Sequence, residues 1–338
     1  ALQRVAAWLR EEWRELTTIS PSDRPWQMPA AAALASGIPL GVGAAFDRLD
    51  FGLVSTLGGL VFLHLPGTAL PHRMVTVMGC AFALPAAYAL GLTSHFFPAL
   101  AAPAVAFIAV LVTMLVRFFG LGPPGSLFFI MVAAIGAYTP VTDPARVPLL
   151  VGLVALGTLP ACLVAFGYSL ATLRLRPLRA AGPLPRPTFD YVVFDSLVIG
   201  AAVGVSLLLA QALRLEKAYW VPVGCIAVLQ GATLKAVWTR QVHRLVGTAL
   251  GLGVTWIVLS LPLGRWTVPP LVMALTFVVE VAVVRHYAFA AMFITPLAIV
   301  LAEAATLGQG SATGLIGARF LDTVLGCAVG LAGGAALH

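Results

Sequence analysis

The chain has 338 residues, 60% of them apolar and 10% charged, with a mean hydropathy of +0.98 and a formal net charge of +7. A soluble domain carries about 25% charged residues, so these figures exclude one and point to a polytopic α-helical membrane protein. The apolar runs do not alternate in segments of about ten, which excludes a β-barrel, and the basic residues fall at turns between runs rather than in a soluble patch, which excludes a nucleic-acid partner.

Residues 1–27 mix charge with Trp8, Leu9, Trp13 and Leu16 at helical spacing. That pattern predicts an amphipathic segment lying at the cytoplasmic interface, not a signal peptide. Six apolar segments follow, near 28–46, 51–65, 73–93, 96–117, 125–140 and 147–170, forming a first unit over 28–170. A polar, Pro-rich cytoplasmic linker occupies 171–190. The second unit, 191–338, holds segments near 191–213, 218–234, 242–262, 266–284, 287–303 and 314–336. The expectation is an all-α integral membrane protein of about 12 transmembrane helices.

Placing the N-terminus in the cytoplasm and following twelve spans puts 14 of the 20 Lys and Arg residues on the cytoplasmic side and 6 elsewhere. The positive-inside rule then predicts both termini in the cytoplasm, as in a multi-pass protein of the bacterial inner membrane.

The two units resemble each other. Leu49–Ala81 and Tyr219–Gly253 share a short apolar segment, a basic connector and a small-residue helix, with His72-Arg73 falling where His243-Arg244 falls. Val110–Phe119 likewise matches Val278–Tyr287, Arg117 over Arg285. Six spans per unit is an even number, so the prediction is two parallel six-helix repeats related by an axis along the membrane normal.

Several chemistries lack their residues. No G-x-x-x-x-G-K-[ST] is present, and the six histidines show no metal-ligand spacing. No nucleophile–base arrangement stands out, so the chain reads as no enzyme, with no cofactor and no metal. Cys80, Cys162, Cys225 and Cys327 lie in apolar segments without a CxxC and read as packing residues.

The run Trp220-Val-Pro-x(7)-Gln230 precedes Arg240-x(3)-Arg244-Leu-Val-Gly247-Thr248-x-x-Gly251, and the last segment carries Arg319-Phe-Leu-Asp322-Thr323-Val-Leu-Gly326. These motifs resemble the FUSC family, the fusaric-acid-resistance and aromatic-acid-exporter-like membrane proteins, and more distantly the plant aluminium-activated malate channels. The short linker at 171–190 stands where larger members carry a soluble domain. The resemblance implies outward movement of organic, often aromatic, anions, either proton-linked or passive.

Polar residues inside apolar spans are costly and tend to face a bundle interior or a water-filled path. Arg73 and Arg244, from matching connectors, are candidates to face each other across the repeat axis and bind a carboxylate. Lys235 and Gln230, near the end of the short eighth span, are candidate path-lining groups. Trp220 is a candidate ring for stacking. Arg319 joins the anion-binding set, while its i, i+3 spacing to Asp322 also allows a local ion pair. Glu280 has no cation at i±3 or i±4, and with Asp322 it is a candidate for proton coupling. Asp195 reads as an interfacial, N-cap-like acid, and Gly247/Gly251 as a close helix crossing. Spans two, five, eight and eleven are short and interrupted by Gly or Pro, a feature that marks transporter sites.

The function expected is a proton-coupled secondary exporter of organic, chiefly aromatic carboxylate, anions. An anion channel of the malate-channel type and a non-transporting membrane scaffold are the alternatives. The partners expected are small organic anions and membrane lipids, with the chain acting as a monomer or a homo-oligomer.

Overall fold

Long apolar stretches must satisfy their own backbone groups when no water is at hand, and helices do so within one segment. The computed structural model describes residues 10, 13–173, 188–303 and 312–338. From residue 27 onward the described residues form twelve α-helices and no strand. In the first half these are α1 (Gln27–Ala45), α2 (Leu49–Gly59), α3 (Leu70–Ser94), α4 (Pro98–Phe118), α5 (Leu127–Tyr138) and α6 (Val147–Leu173). The second half contributes α7 (Asp195–Ala212), α8 (Trp220–Leu229), α9 (Leu234–Leu259), α10 (Val268–Ala282), α11 (Tyr287–Glu303) and α12 (Ala312–Leu337). Among the described residues, seven helices are long and apolar enough to cross a membrane: α1, α3, α4, α6, α7, α9 and α12. The other five are shorter.

Local chemistry sets the boundaries. Proline stands in the first turn of α3, α4 and α10, where its missing N–H costs nothing. Thr233 caps α9, its hydroxyl accepting from the Ala236 N–H at 3.2 Å. The chain turns after α4 through Gly120 and Gly125, both left-handed at φ 62° and 59°.

Helices pack in the same order in both halves. In the first half α2 meets α1 and α6, α3 meets α5 and α6, α1 meets α6, and α4 meets α5. In the second half α8 meets α7 and α12, α9 meets α11 and α12, α7 meets α12, and α10 meets α11. The halves join through α1 against α10 and α4 against α7, again an equivalent pair, and through α5 against α8. The α2–α6 and α8–α12 crossings are both glycine crossings. A methyl group on Gly157 would collide with the Ser55 carbonyl, and one on Gly326 with the Val221 carbonyl. The expected crossing at Gly247/Gly251 is also present, with α9 lying against the Ala288 and Met292 carbonyls of α11.

Large apolar side chains point outward, including Phe82, Leu163 and Val75, as a hydrocarbon environment requires. Polar ties fasten the halves together. Asp195, first residue of α7, pairs with Arg117 at the end of α4, so it is an inter-half ion-pair residue. Gln230 Nε2 donates to the Pro124 carbonyl at 2.7 Å.

The segment expected to be an amphipathic helix over 1–27 is described at residue 10 and from residue 13. Residues 13–17 are helical and 18–25 are not. Pro21 and Pro25 account for this, since the residue before a proline is pushed out of the helical region. Trp13, Ile19 and Trp26 are exposed along it. Of the linker at 171–190, residues 174–187 lie outside the described residues.

Candidate functional site

The centre of the second half is α8, ten residues long and buried along its whole length. At 1.5 Å per residue it spans about 15 Å, half of a ~30 Å hydrocarbon core. Its first residue, Trp220, carries the guanidinium of Arg319 over its ring at 4.0 Å from the centroid. Tyr219 stacks obliquely on Trp220 at 5.1 Å. Arg319 comes from α12, and Arg244, from α9, lies close enough for the two positive charges to act on one another. Arg244 Nη1 donates to the Tyr287 hydroxyl at 3.0 Å. Asp322, one turn beyond Arg319, completes the group.

What distinguishes this cluster is how little of its bonding capacity is used. Arg244, Arg319 and Asp322 are 6%, 5% and 1% exposed. Among the described residues, Nε of both arginines and both carboxylate oxygens of Asp322 make no hydrogen bond. Buried polar groups are ordinarily satisfied, and removing a charged group from water without a counterpart is costly. Two guanidiniums against one carboxylate leave one positive charge in excess. Orphaned donors together with surplus positive charge are the requirements of an anion.

Four of the candidates read from sequence therefore meet: Trp220, Arg244, Arg319 and Asp322. The Arg319–Asp322 pair expected from i, i+3 spacing does not form a hydrogen bond, because the guanidinium turns onto the indole face instead.

Arg73 does not join them. Its bonds go to the Thr68 carbonyl at 2.6 Å and the Thr172 hydroxyl at 3.2 Å, both in the first half. The helix starts explain why the matched His-Arg pairs separate. Arg73 lies 3 residues past Leu70, the start of α3, and Arg244 lies 10 residues past Leu234, the start of α9. Seven extra residues carry Arg244 about 10 Å further along its helix. What reads as a connector at 235–244 is nearly the first three turns of α9.

Lys235 is at the surface and pairs with Glu15 at 2.9 Å. Gln230 is a structural tie, as above. Glu280 is buried as expected, but it is not alone: Arg24 Nη1 donates to its carboxylate at 2.9 Å and to its backbone carbonyl at 3.1 Å. Arg24 belongs to the N-terminal segment, 256 positions away, so no local spacing pointed to it.

That segment crosses the end of the second half like a strap. Glu15 also accepts from the Thr239 hydroxyl at 2.9 Å. The Leu16 carbonyl bonds His286 Nε2 at 2.6 Å, and the Ser20 N–H donates to the Arg285 carbonyl at 2.9 Å. Beside it lies a shallow cavity of about 630 Å3, widely open at the surface and bordered by Arg14, Lys235, Arg240, Arg285, His286 and Tyr287. His243, also on its wall, stacks on His286 at 5.0 Å. Sequence reasoning missed Glu15, Arg24 and His286, whose roles depend on contacts between distant segments.

Fold and cluster together define a multi-pass helical membrane protein with a buried cationic site. Residues 202–333 match the family model described as fusaric acid resistance protein-like. That stretch holds Trp220, Arg244, Arg319, Asp322 and all the motifs whose resemblance pointed to this family, and it makes up 132 of the 338 residues. The chain is also 30% identical over 151 residues, 44% of its length, to the uncharacterized membrane protein YvaC of Bacillus subtilis (strain 168). It spans about a quarter of that protein, 24% of its length. No solved structure matches the chain.

Proposed function

We propose that the chain is a secondary exporter of organic, chiefly aromatic carboxylate, anions, built as twelve membrane-embedded helices in two parallel repeats with both termini cytoplasmic. The carrying observation is the buried Arg244–Arg319 pair, with unused donors and one charge in excess of Asp322. A monovalent carboxylate seated there neutralises the cluster and takes up the free N–H groups in charge-assisted bonds. Trp220 and Tyr219 supply aromatic surface beside it. The equivalent helix contacts in the two halves support the repeat. The distribution of Lys and Arg supports cytoplasmic termini.

Direction follows from electrostatics. In a cell with a negative interior, moving one anion outward is favourable by about 2.3 kcal/mol per 100 mV. Proton linkage enters through Asp322, whose negative charge competes with the anion for the guanidiniums. Protonating it strengthens anion binding, and by linkage the anion strengthens proton binding equally; Asp322 thus sets affinity with pH, and the potential drives export only when the proton is not carried out with the anion. Glu280, tied to Arg24, takes part in coupling only when that pair opens.

Efflux of benzoate and of acetate from proteoliposomes tests the reading. Benzoate efflux above protein-free vesicles, lost in Arg244→Gln, supports it. Equal rates in the variant and the parent leave the cluster structural, and continuous single-channel currents instead of slow turnover move the protein to the channel class.

A further inference from the structure

The cavity beside the strap is not part of the buried cluster, and its charge is lopsided. Arg14, Lys235, Arg240 and Arg285 border it, with His243 and His286 stacked on one wall, and among the described residues Glu15 is the acid facing them. Glu15 does not merely border the space. Its two carboxylate oxygens are divided between Lys235 Nζ and the Thr239 hydroxyl, each at 2.9 Å. These bonds to Lys235 and Thr239 hold its carboxyl below the ordinary glutamate range, so it sits there as an anion. Across the cavity, Tyr287 forms a wall, and its hydroxyl holds Arg244 of the buried site. A single side chain thus separates the two.

We propose that this cavity is a carboxylate-binding vestibule at the cytoplasmic mouth, with the strap's own Glu15 as a tethered competitor for incoming organic carboxylates. The proposal rests on the export reading for the identity of its ligand, but the site itself stands on its own geometry. An incoming carboxylate displaces Glu15, takes over the Lys235 and Thr239 contacts and adds Arg240 and Arg285. The cavity's roughly 630 Å3 admits an aromatic acid with its hydration, within the ordinary range of small-molecule sites. The strap stays attached by the Arg24–Glu280 pair and the Ser20–Arg285 bond while Glu15 swings clear. The vestibule is therefore occupied by either Glu15 or ligand, which keeps it filled by a carboxylate at all times.

The test is calorimetric titration of benzoate into the full chain in lipid nanodiscs, for the parent, Glu15→Gln, Glu15→Gln/Lys235→Gln and Arg244→Gln. Lys235 is well exposed, so the tethered competitor is of modest strength. Its removal is expected to lower the benzoate Kd about fivefold. Adding Lys235→Gln reverses that gain, while Arg244→Gln keeps vestibule binding. An unchanged Kd in Glu15→Gln, a double variant as tight as Glu15→Gln, or no benzoate binding in Glu15→Gln would each overturn the proposal. Tightened binding in Glu15→Gln with no benzoate efflux from any variant supports the vestibule and instead removes the export reading.

Discussion

Replacing Arg24 by alanine strips Glu280 of the one cation among the described residues that faces it. The Glu280 side chain is 9% exposed and that of Arg24 21%, so the pair is nearer the buried than the surface limit. Breaking a fully buried pair costs about 3–5 kcal/mol, and an exposed one 0–1. For this geometry, with one guanidinium nitrogen serving both the carboxylate and the backbone carbonyl, the expected loss is about 2 kcal/mol. Glu280→Gln removes the charge but keeps an acceptor for Arg24, and should cost about 1 kcal/mol. In the double variant the neutral amide no longer needs a counter-charge, so most of the Arg24→Ala loss returns, giving a coupling of about 2 kcal/mol. Reversible unfolding by SDS in mixed micelles measures all four proteins. The reasoning is refuted if Arg24→Ala lies within about 0.5 kcal/mol of the parent, or if Glu280→Gln restores nothing.

Other outcomes follow from the same structure. Arg319→Gln, which loses both the charge and the cation–π contact with Trp220, should cut benzoate efflux roughly 10–100-fold, the loss of one charge-assisted bond, as read by initial rates from proteoliposomes. Asp322→Asn mimics the protonated state. Benzoate binding should tighten and lose its pH dependence, whereas the parent should bind more tightly as pH falls; parallel pH profiles would contradict this. Gly326→Ala forces α12 away from the Val221 carbonyl and should destabilise by about 1–3 kcal/mol in the SDS assay. The Glu15 carboxyl is held low by Lys235 and Thr239. Its docking should therefore hold at neutral pH and fade only on acidification below the ordinary glutamate range, followed by proteolysis of the strap.

What could be read from sequence follows a physical divide. The twelve helices lie where the apolar runs lie, because in hydrocarbon the backbone must bond within each segment. The glycine crossing at Gly247/Gly251 was readable for the same reason, since small residues at i, i+4 allow close approach. Trp220, Arg244, Arg319 and Asp322 stood out as polar or aromatic groups in costly places. Their grouping was not readable. Arg244 reached the cluster because α9 begins at Leu234, seven residues earlier than the matching helix would, and an alignment of His-Arg pairs is blind to helix starts. Arg319 chose an indole on another helix over the carboxylate one turn away. The Arg24–Glu280 pair spans 256 positions, and only the path of the strap brings it together.

The central claim is that an organic carboxylate sits between the two buried guanidiniums. Solid-state NMR of the full chain in lipid, with benzoate labelled 13C at its carboxyl and arginine labelled 15N, measures that contact directly. Charge-assisted N–H···O bonds of about 2.7–2.9 Å predict dipolar coupling from the carboxyl carbon to two guanidinium groups, one lost in Arg244→Gln and the other in Arg319→Gln. Bound benzoate whose couplings survive both substitutions would contradict the account.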